Sequence, residues 1–96
     1  YHREKMKAAY IISYDLRNPG QNYEDLLRQI KSFENWARLG GSAYIVISES
    51  SAVQIRERLT ISLDKNDKLF VGTLNAPAAW TGLGEEVSQW IRNNLD

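Results

Sequence analysis

The 96-residue chain contains no cysteine and only one histidine, His2, close to its first residue. Without cysteine, the chain has no disulfide bond, no thiolate nucleophile and no cysteine-ligated zinc. Because this histidine lies in the N-terminal end that precedes the first strand pattern, a Ser-His-Asp triad is also excluded within the fold, and a single histidine cannot form an H-E-x-x-H zinc motif. Any catalysis therefore depends on carboxylates with a hard metal ion, or on lysine, tyrosine or serine.

The sequence also lacks long apolar runs and an excess of charge of either sign. No run approaches the roughly 20 apolar residues that span a bilayer, so we expect no membrane partner and a cytoplasmic location. The 12 basic side chains balance the 12 acidic ones, which excludes a strong global attraction to nucleic acid but leaves a local basic patch open. A G-x-x-x-x-G-K phosphate loop is absent, and we expect no small-molecule cofactor.

The length predicts one domain, because the chain is shorter than the usual domain of roughly 100–150 residues. We interpret residues 1–5 as a tag remnant or a disordered arm, Met6 as the native start, and residues 6–96 as the single domain. A chain of this size buries only about 60–70% of its unfolded surface. Its marginal core favours a homodimer.

Hydrophobic periodicity predicts the order βαββαβ with a further helix at the C-terminal end. The strands are expected at 7–16, 36–39, 42–49 and 68–74, and the helices at 23–33, after Ser50 or Ser51, and from Gly84. The first strand is apolar on both faces, which is typical of a central strand, and Gly40-Gly41 indicates a hairpin. We therefore predict an α+β, ferredoxin-like domain, with a four-stranded antiparallel sheet and two helices on one face. Trp80 and Trp90 would pack on the open face or on a partner subunit.

Asp15 is the most informative position, because it ends an otherwise apolar strand just before a turn. A carboxylate in such a strand is costly unless it is paired, hydrogen-bonded or bound to a cation. One interpretation makes Asp15 a ligand of a hard metal ion in phosphodiester chemistry. The other makes it a cap for the backbone amides of the turn at 17–20. One carboxylate holds Mg²⁺ poorly, but a symmetric dimer would supply two.

Basic residues provide a second candidate site. Arg17, Lys31 and Arg38, with Arg56 and Arg58, would form a local patch that binds nucleic acid, and Arg17 would meet a phosphate beside the metal. The alternative is an ordinary solvated surface, because glutamates are interleaved along the same stretches. The tryptophans likewise either stack on bases or pack within the protein.

The motifs at 12–16 (ISYDL), 19–26 (PGQNYEDL) and 52–56 (AVQIR), with Trp80 and Trp90, resemble a family of small bacterial proteins labelled SinR. That family is related to the CRISPR-associated adaptation nucleases, the second Cas protein, which share the βαββαβ order and an aspartate at the end of the first strand. The Trp-containing C-terminal segment departs from the nuclease pattern.

The resemblance implies a homodimer whose sheets face each other, with Asp15 of both subunits near the two-fold axis, where the nucleases are proposed to hold Mg²⁺. The expected function is that of a dimeric, Mg²⁺-dependent phosphodiesterase or nucleic-acid-binding protein that uses paired Asp15 side chains. The alternative is a non-catalytic dimeric interaction or regulatory module.

Overall fold

The structure, a computed structural model, describes residues 6–17 and 23–95. Seven elements follow one another along these residues: β1 (Ala8–Asp15), α1 (Tyr23–Lys31), β2 (Asn35–Gly40), β3 (Ala43–Ser48), α2 (Ala52–Thr60), β4 (Lys68–Leu74) and α3 (Glu85–Leu95). The predicted arm at 1–5 and most of the predicted turn at 17–20 lie outside the described residues. None of the three described helices is both long and apolar enough to cross a membrane.

The four strands form one antiparallel sheet in the order β2-β3-β1-β4. β1 pairs with a strand on each side, so its predicted central position is confirmed. Gly40 and Gly41 connect β2 to β3 with φ angles of 134° and 51°, values that side chains with a Cβ rarely adopt. The predicted α+β architecture is confirmed, and a four-stranded antiparallel sheet with three helices is compatible with a ferredoxin-like fold.

One face of the sheet carries the main core, which we call the helix-pair face. Side chains of β1 and β3 on this face pack against Leu26 and Ile30 of α1 and Ile55 and Leu59 of α2, which are at most 1% exposed. These apolar residues recur at helical spacing, so each helix buries one stripe. Ser51 begins α2 with a capping box, in which its hydroxyl accepts from the Gln54 amide.

α1 ends at Lys31, two residues before its predicted end. Phe33 remains buried, but its amide donates to the Ile30 carbonyl, and the Ser32 hydroxyl donates to the Gln29 carbonyl. These three-residue contacts form a tight turn that leads directly into β2. Phe33 therefore belongs to the same apolar cluster as α1 although it is not part of the helix.

The opposite face of the sheet, which we call the α3 face, carries a smaller cluster. Ala9, Ile45 and Ile91 are buried there, and Trp80 and Trp90 pack against them half-buried. The Trp90 indole donates to Asn35 Oδ1 at 2.7 Å, and Asn35 Nδ2 donates to Asn94 Oδ1 at 2.9 Å. These hydrogen bonds join α3 to the edge strand β2. The C-terminal segment therefore docks on the sheet, as its tryptophans predicted.

Candidate functional site

Asp15 is the last residue of β1 and its side chain is exposed. Its cross-strand neighbour is Lys68, the first residue of β4, but the two side chains form no ion pair. Within residues 6–17 and 23–95, the Asp15 carboxylate makes no hydrogen bond. A carboxylate at the end of this apolar strand was expected to need a partner, but β1 ends in solvent, where water hydrates the charge. Its oxygens are therefore accessible to a ligand.

One interpretation of the sequence made Asp15 the cap of the backbone amides that begin at Arg17. The Arg17 amide instead donates to another aspartate. Asp67 accepts from the Arg17 amide at 2.8 Å and from the Asp64 amide at 2.9 Å, each through a different carboxylate oxygen. One side chain thus ties the chain after β1 to the loop before β4. Sequence reasoning missed Asp67, although it lies in the polar turn that leads into β4, the strand that pairs with β1.

Side chains alternate between the two faces of a strand, so Asp15 lies on the α3 face with Ser13. The paired register adds Lys68, Phe70 and Gly72 from β4. We call these five residues the open patch. They lie outside the cluster that α3 covers. Phe70 is 63% exposed, and its ring fills the space above Gly72, where a Cβ would lie 2.8 Å from Cε2. The open patch therefore combines an accessible carboxylate, a lysine and an exposed aromatic ring.

The open patch of one chain does not make a complete metal site. Mg²⁺ and similar hard cations are held by several oxygen ligands. Among the described residues, no group of three or more acidic or histidine side chains is close enough to hold a metal ion. A site built from a pair of carboxylates would need a second one beside Asp15. The cross-strand neighbour of Asp15 is Lys68 instead, and its positive charge repels a cation. A metal at Asp15 would need further ligands from a second copy of the chain.

Lys31 and Arg38 lie on the same side of the sheet, opposite Asp15. Trp36 and Arg38 pair with Val46 and Tyr44, which belong to the helix-pair face, so both point away from the open patch. The Lys31 ammonium lies 5.4 Å from the centre of the Trp36 ring, and Arg38 donates to the carbonyl of the hairpin turn at 3.3 Å. One cation therefore lies over the ring of a tryptophan that is 36% exposed, and the second lies further along the same strand, at the hairpin.

Arg17 lies apart from this pair. It follows β1, whereas Arg38 is on β2, two strand spacings away, or about 10 Å. Arg56 lies on the exposed surface of α2 beside Glu57, and Arg58 contacts the Phe33 ring at 4.5 Å. The predicted site residues thus divide between two faces: Asp15 on the α3 face, and Lys31 with Arg38 on the helix-pair face.

Two nearly buried tyrosines lie beside Arg38. Tyr14 is 5% exposed and Tyr44 is 2% exposed, and the Tyr14 and Tyr23 hydroxyl oxygens are 3.5 Å apart. Burial raises the pKa of both Tyr14 and Tyr44, and the hydrogen bond to Tyr23 raises the pKa of Tyr14 further, while the positive charge of Arg38 lowers both. Burial is the larger effect. These hydroxyls stay protonated at neutral pH and cannot serve there as general bases.

Comparison with models of known protein families finds no match to this chain, and comparison with curated proteins finds none either. The resemblance to the SinR-labelled family therefore stays a prediction from the motifs of the sequence. The function must be argued from the open patch and from the Lys31–Trp36–Arg38 surface.

Proposed function

We propose that the protein is a dimeric nucleic-acid-binding protein with a ferredoxin-like domain, in which the Asp15 side chains of two subunits form a Mg²⁺-dependent phosphodiesterase site. The observation that carries this proposal is the exposed, uncommitted Asp15 carboxylate on the open patch. When bound, Mg²⁺ would polarise a phosphate and activate water. Asp15 would hold the cation, and Lys68 would offer a positive charge to the phosphate.

The exposed Phe70 supports a contact between two open patches. Burying an aromatic side chain that is exposed in the monomer contributes roughly 1.5–3 kcal/mol, and a symmetric contact buries two. The same contact would bring the two Asp15 carboxylates towards each other. Their mutual repulsion favours a divalent cation between them. The C-terminal segment limits such a contact to the end of β1 and the start of β4, because Ala9 and Leu74 already pack in the cluster with Ile91.

Nucleic acid would bind through the surface formed by Lys31, Trp36 and Arg38. Binders of single strands combine cations that follow the phosphates with aromatic rings on which bases stack. Trp36 and Arg38 are two residues apart on one strand face, or about 7 Å, which is near the spacing of successive nucleotides in an extended strand. A local surface of this kind fits a chain whose total charge is zero.

One observation favours the non-catalytic alternative, a dimeric interaction or regulatory module. Lys31 and Arg38 lie on the opposite side of the sheet from Asp15. A strand held by these cations would not meet the Asp15 of the same chain without passing around the sheet edge. In this alternative the open patch forms the contact between the two subunits and binds no metal ion.

The test measures metal binding and cleavage in the parent and in Asp15→Asn, with Glu24→Gln as the control for an exposed carboxylate elsewhere. We expect calorimetric Mn²⁺ or Mg²⁺ binding and cleavage of RNA or DNA by the parent and Glu24→Gln, and loss of both in Asp15→Asn. Asn keeps the shape but removes the charge that a hard cation needs. A parent that binds no metal and cuts no nucleic acid overturns catalysis and leaves the interaction module.

Sedimentation tests the dimer separately. We expect a parent dimer and a monomeric Phe70→Ser variant, with Ile61→Ser as the matched control, because Ile61 is 85% exposed and not on the sheet. A monomeric parent would overturn both the shared metal site and the dimeric module. Loss of single-strand binding in Lys31→Gln/Arg38→Gln, but not in Lys65→Gln, would support the nucleic-acid surface.

A further inference from the structure

Two adjoining cavities lie at the C-terminal segment, and the first of them lies between this segment and the α3 face of the sheet. The first has a volume of about 300 Å³ and is lined by apolar side chains of the sheet and of residues 78–95, with Thr81 as its polar member. The second, of about 490 Å³, is lined by residues 76–78, 80, 91, 92 and 95. They share Ala78, Trp80, Ile91 and Leu95. Both volumes lie in the range of small-molecule sites.

One wall shared by the two cavities is fixed by a hydrogen bond. The Trp80 indole donates to the Ser88 hydroxyl at 3.0 Å, which holds the ring against α3. Trp90 lies outside the walls and attaches α3 to Asn35 of β2. Ala78 and Ala79 are too small to fill the space between the sheet and the helix. The Trp80 ring cannot rotate inward without losing this bond to Ser88.

Arg92 is the one charged residue among those that line the two cavities. Its guanidinium lies 5.9 Å from the centre of the Trp80 ring. No carboxylate of residues 6–17 or 23–95 forms an ion pair with it. The site therefore combines an apolar interior with one positive charge that has no anionic partner in the described chain.

We infer that the two cavities bind a small amphipathic monocarboxylate, with its apolar body between the sheet and Trp80 and its carboxylate on Arg92. A guanidinium binds a carboxylate through paired hydrogen bonds, and the apolar walls exclude a second charged group. This inference goes beyond the proposed function, because neither Asp15 nor a dimer takes part in the site.

The experiment titrates the full chain with decanoate and, separately, with decanol, by calorimetry. We expect one decanoate per chain, bound at least about ten-fold more tightly than decanol, since hydrogen bonds to a charged group are stronger than neutral ones. Arg92→Gln should bring the two affinities together. Arg56→Gln, which alters an exposed arginine on α2, should leave both unchanged.

A second variant tests the cavities themselves. Ala78 lines both and is exposed, so Ala78→Phe should fill the space without disturbing the main core. We expect it to abolish binding of both decanoate and decanol while thermal unfolding changes little. Equal affinities of the parent for the acid and the alcohol would overturn the inference. Unchanged decanoate binding by Ala78→Phe would also overturn the inference, whether or not the variant alters self-association.

Discussion

The two faces of the sheet differ in how completely they are covered. On the helix-pair face, α1 and α2 leave Ile12, Leu26 and Leu59 with no exposed surface. On the α3 face, a single helix covers part of the sheet and leaves the cavities and the open patch. Both faces are built from the same four strands. The difference indicates that stability comes mainly from the helix-pair face and that the α3 face holds the space open to ligands.

Removing a large side chain from each face gives the largest expected difference. Leu59→Ala on the helix-pair face should lower the free energy of unfolding by about 3 kcal/mol, because the removed atoms leave a cavity in close packing. Leu83→Ala, which alters a half-buried residue beside α3, should cost about 1 kcal/mol, since its surroundings already contain empty space. Urea denaturation measures both. Equal losses would contradict the proposed division between the faces.

A matched pair of tryptophan substitutions tests how α3 is attached. Trp90→Phe removes the indole that donates to Asn35 and leaves that amide oxygen without its donor, at an expected cost of about 1–2 kcal/mol. Trp36→Phe removes an indole that makes no hydrogen bond within the described chain, and we expect less than about 0.5 kcal/mol. Thermal unfolding of the two variants supplies the comparison. A loss in Trp90→Phe no larger than that in Trp36→Phe would show that packing alone holds α3.

The buried tyrosines of the helix-pair face predict a loss of stability in alkali. Burial raises the folded-state pKa of Tyr14 and Tyr44 above the ordinary value of 10.0. Above pH 10 the unfolded chain therefore releases these protons first, and the free energy of unfolding falls by up to about 1.4 kcal/mol per pH unit for each tyrosine. Denaturation at pH 9 to 11 should show this slope. Tyr14→Phe should reduce this slope, and Tyr23→Phe should reduce it less, because it removes only the hydrogen bond that raises the pKa of Tyr14 and leaves the effect of burial.

The smallest expected difference in stability is between variants of Asp15, at the end of β1, and Asp67, in the loop before β4. Asp67→Ala removes the acceptor of two backbone amides and should cost about 1 kcal/mol or somewhat more. Asp15→Ala alters an exposed side chain without a partner in the described chain and should change stability by no more than about 0.5 kcal/mol. Chemical denaturation without added metal distinguishes them. A marked loss in Asp15→Ala would mean that the carboxylate has a structural role.

Much of the secondary structure could be predicted because it depends on local patterns. The apolar stripes marked the helices, and the two-sided apolar strand marked the centre of the sheet. Gly40-Gly41 marked the hairpin because the backbone there needs positive φ angles. The end of α1 was predicted too late, because Phe33 continues the apolar spacing although the hydrogen bonding has already changed to a turn. Local periodicity reports burial and does not by itself distinguish a helix from the turn after it.

The arrangement of the candidate site could not be predicted from local sequence patterns. The sequence by itself determined that the chain has no cysteine chemistry and that a basic patch must be local, since both follow from residue types and their numbers. Only the tertiary structure decided that Asp15 faces away from Lys31 and Arg38, that Asp67 binds the amide after β1, and that cavities lie under α3. The physical reason is the register of strand pairing. The register decides which residues of neighbouring strands share a face, and it is set by the turns and by the bulge between Arg38 and Gly40.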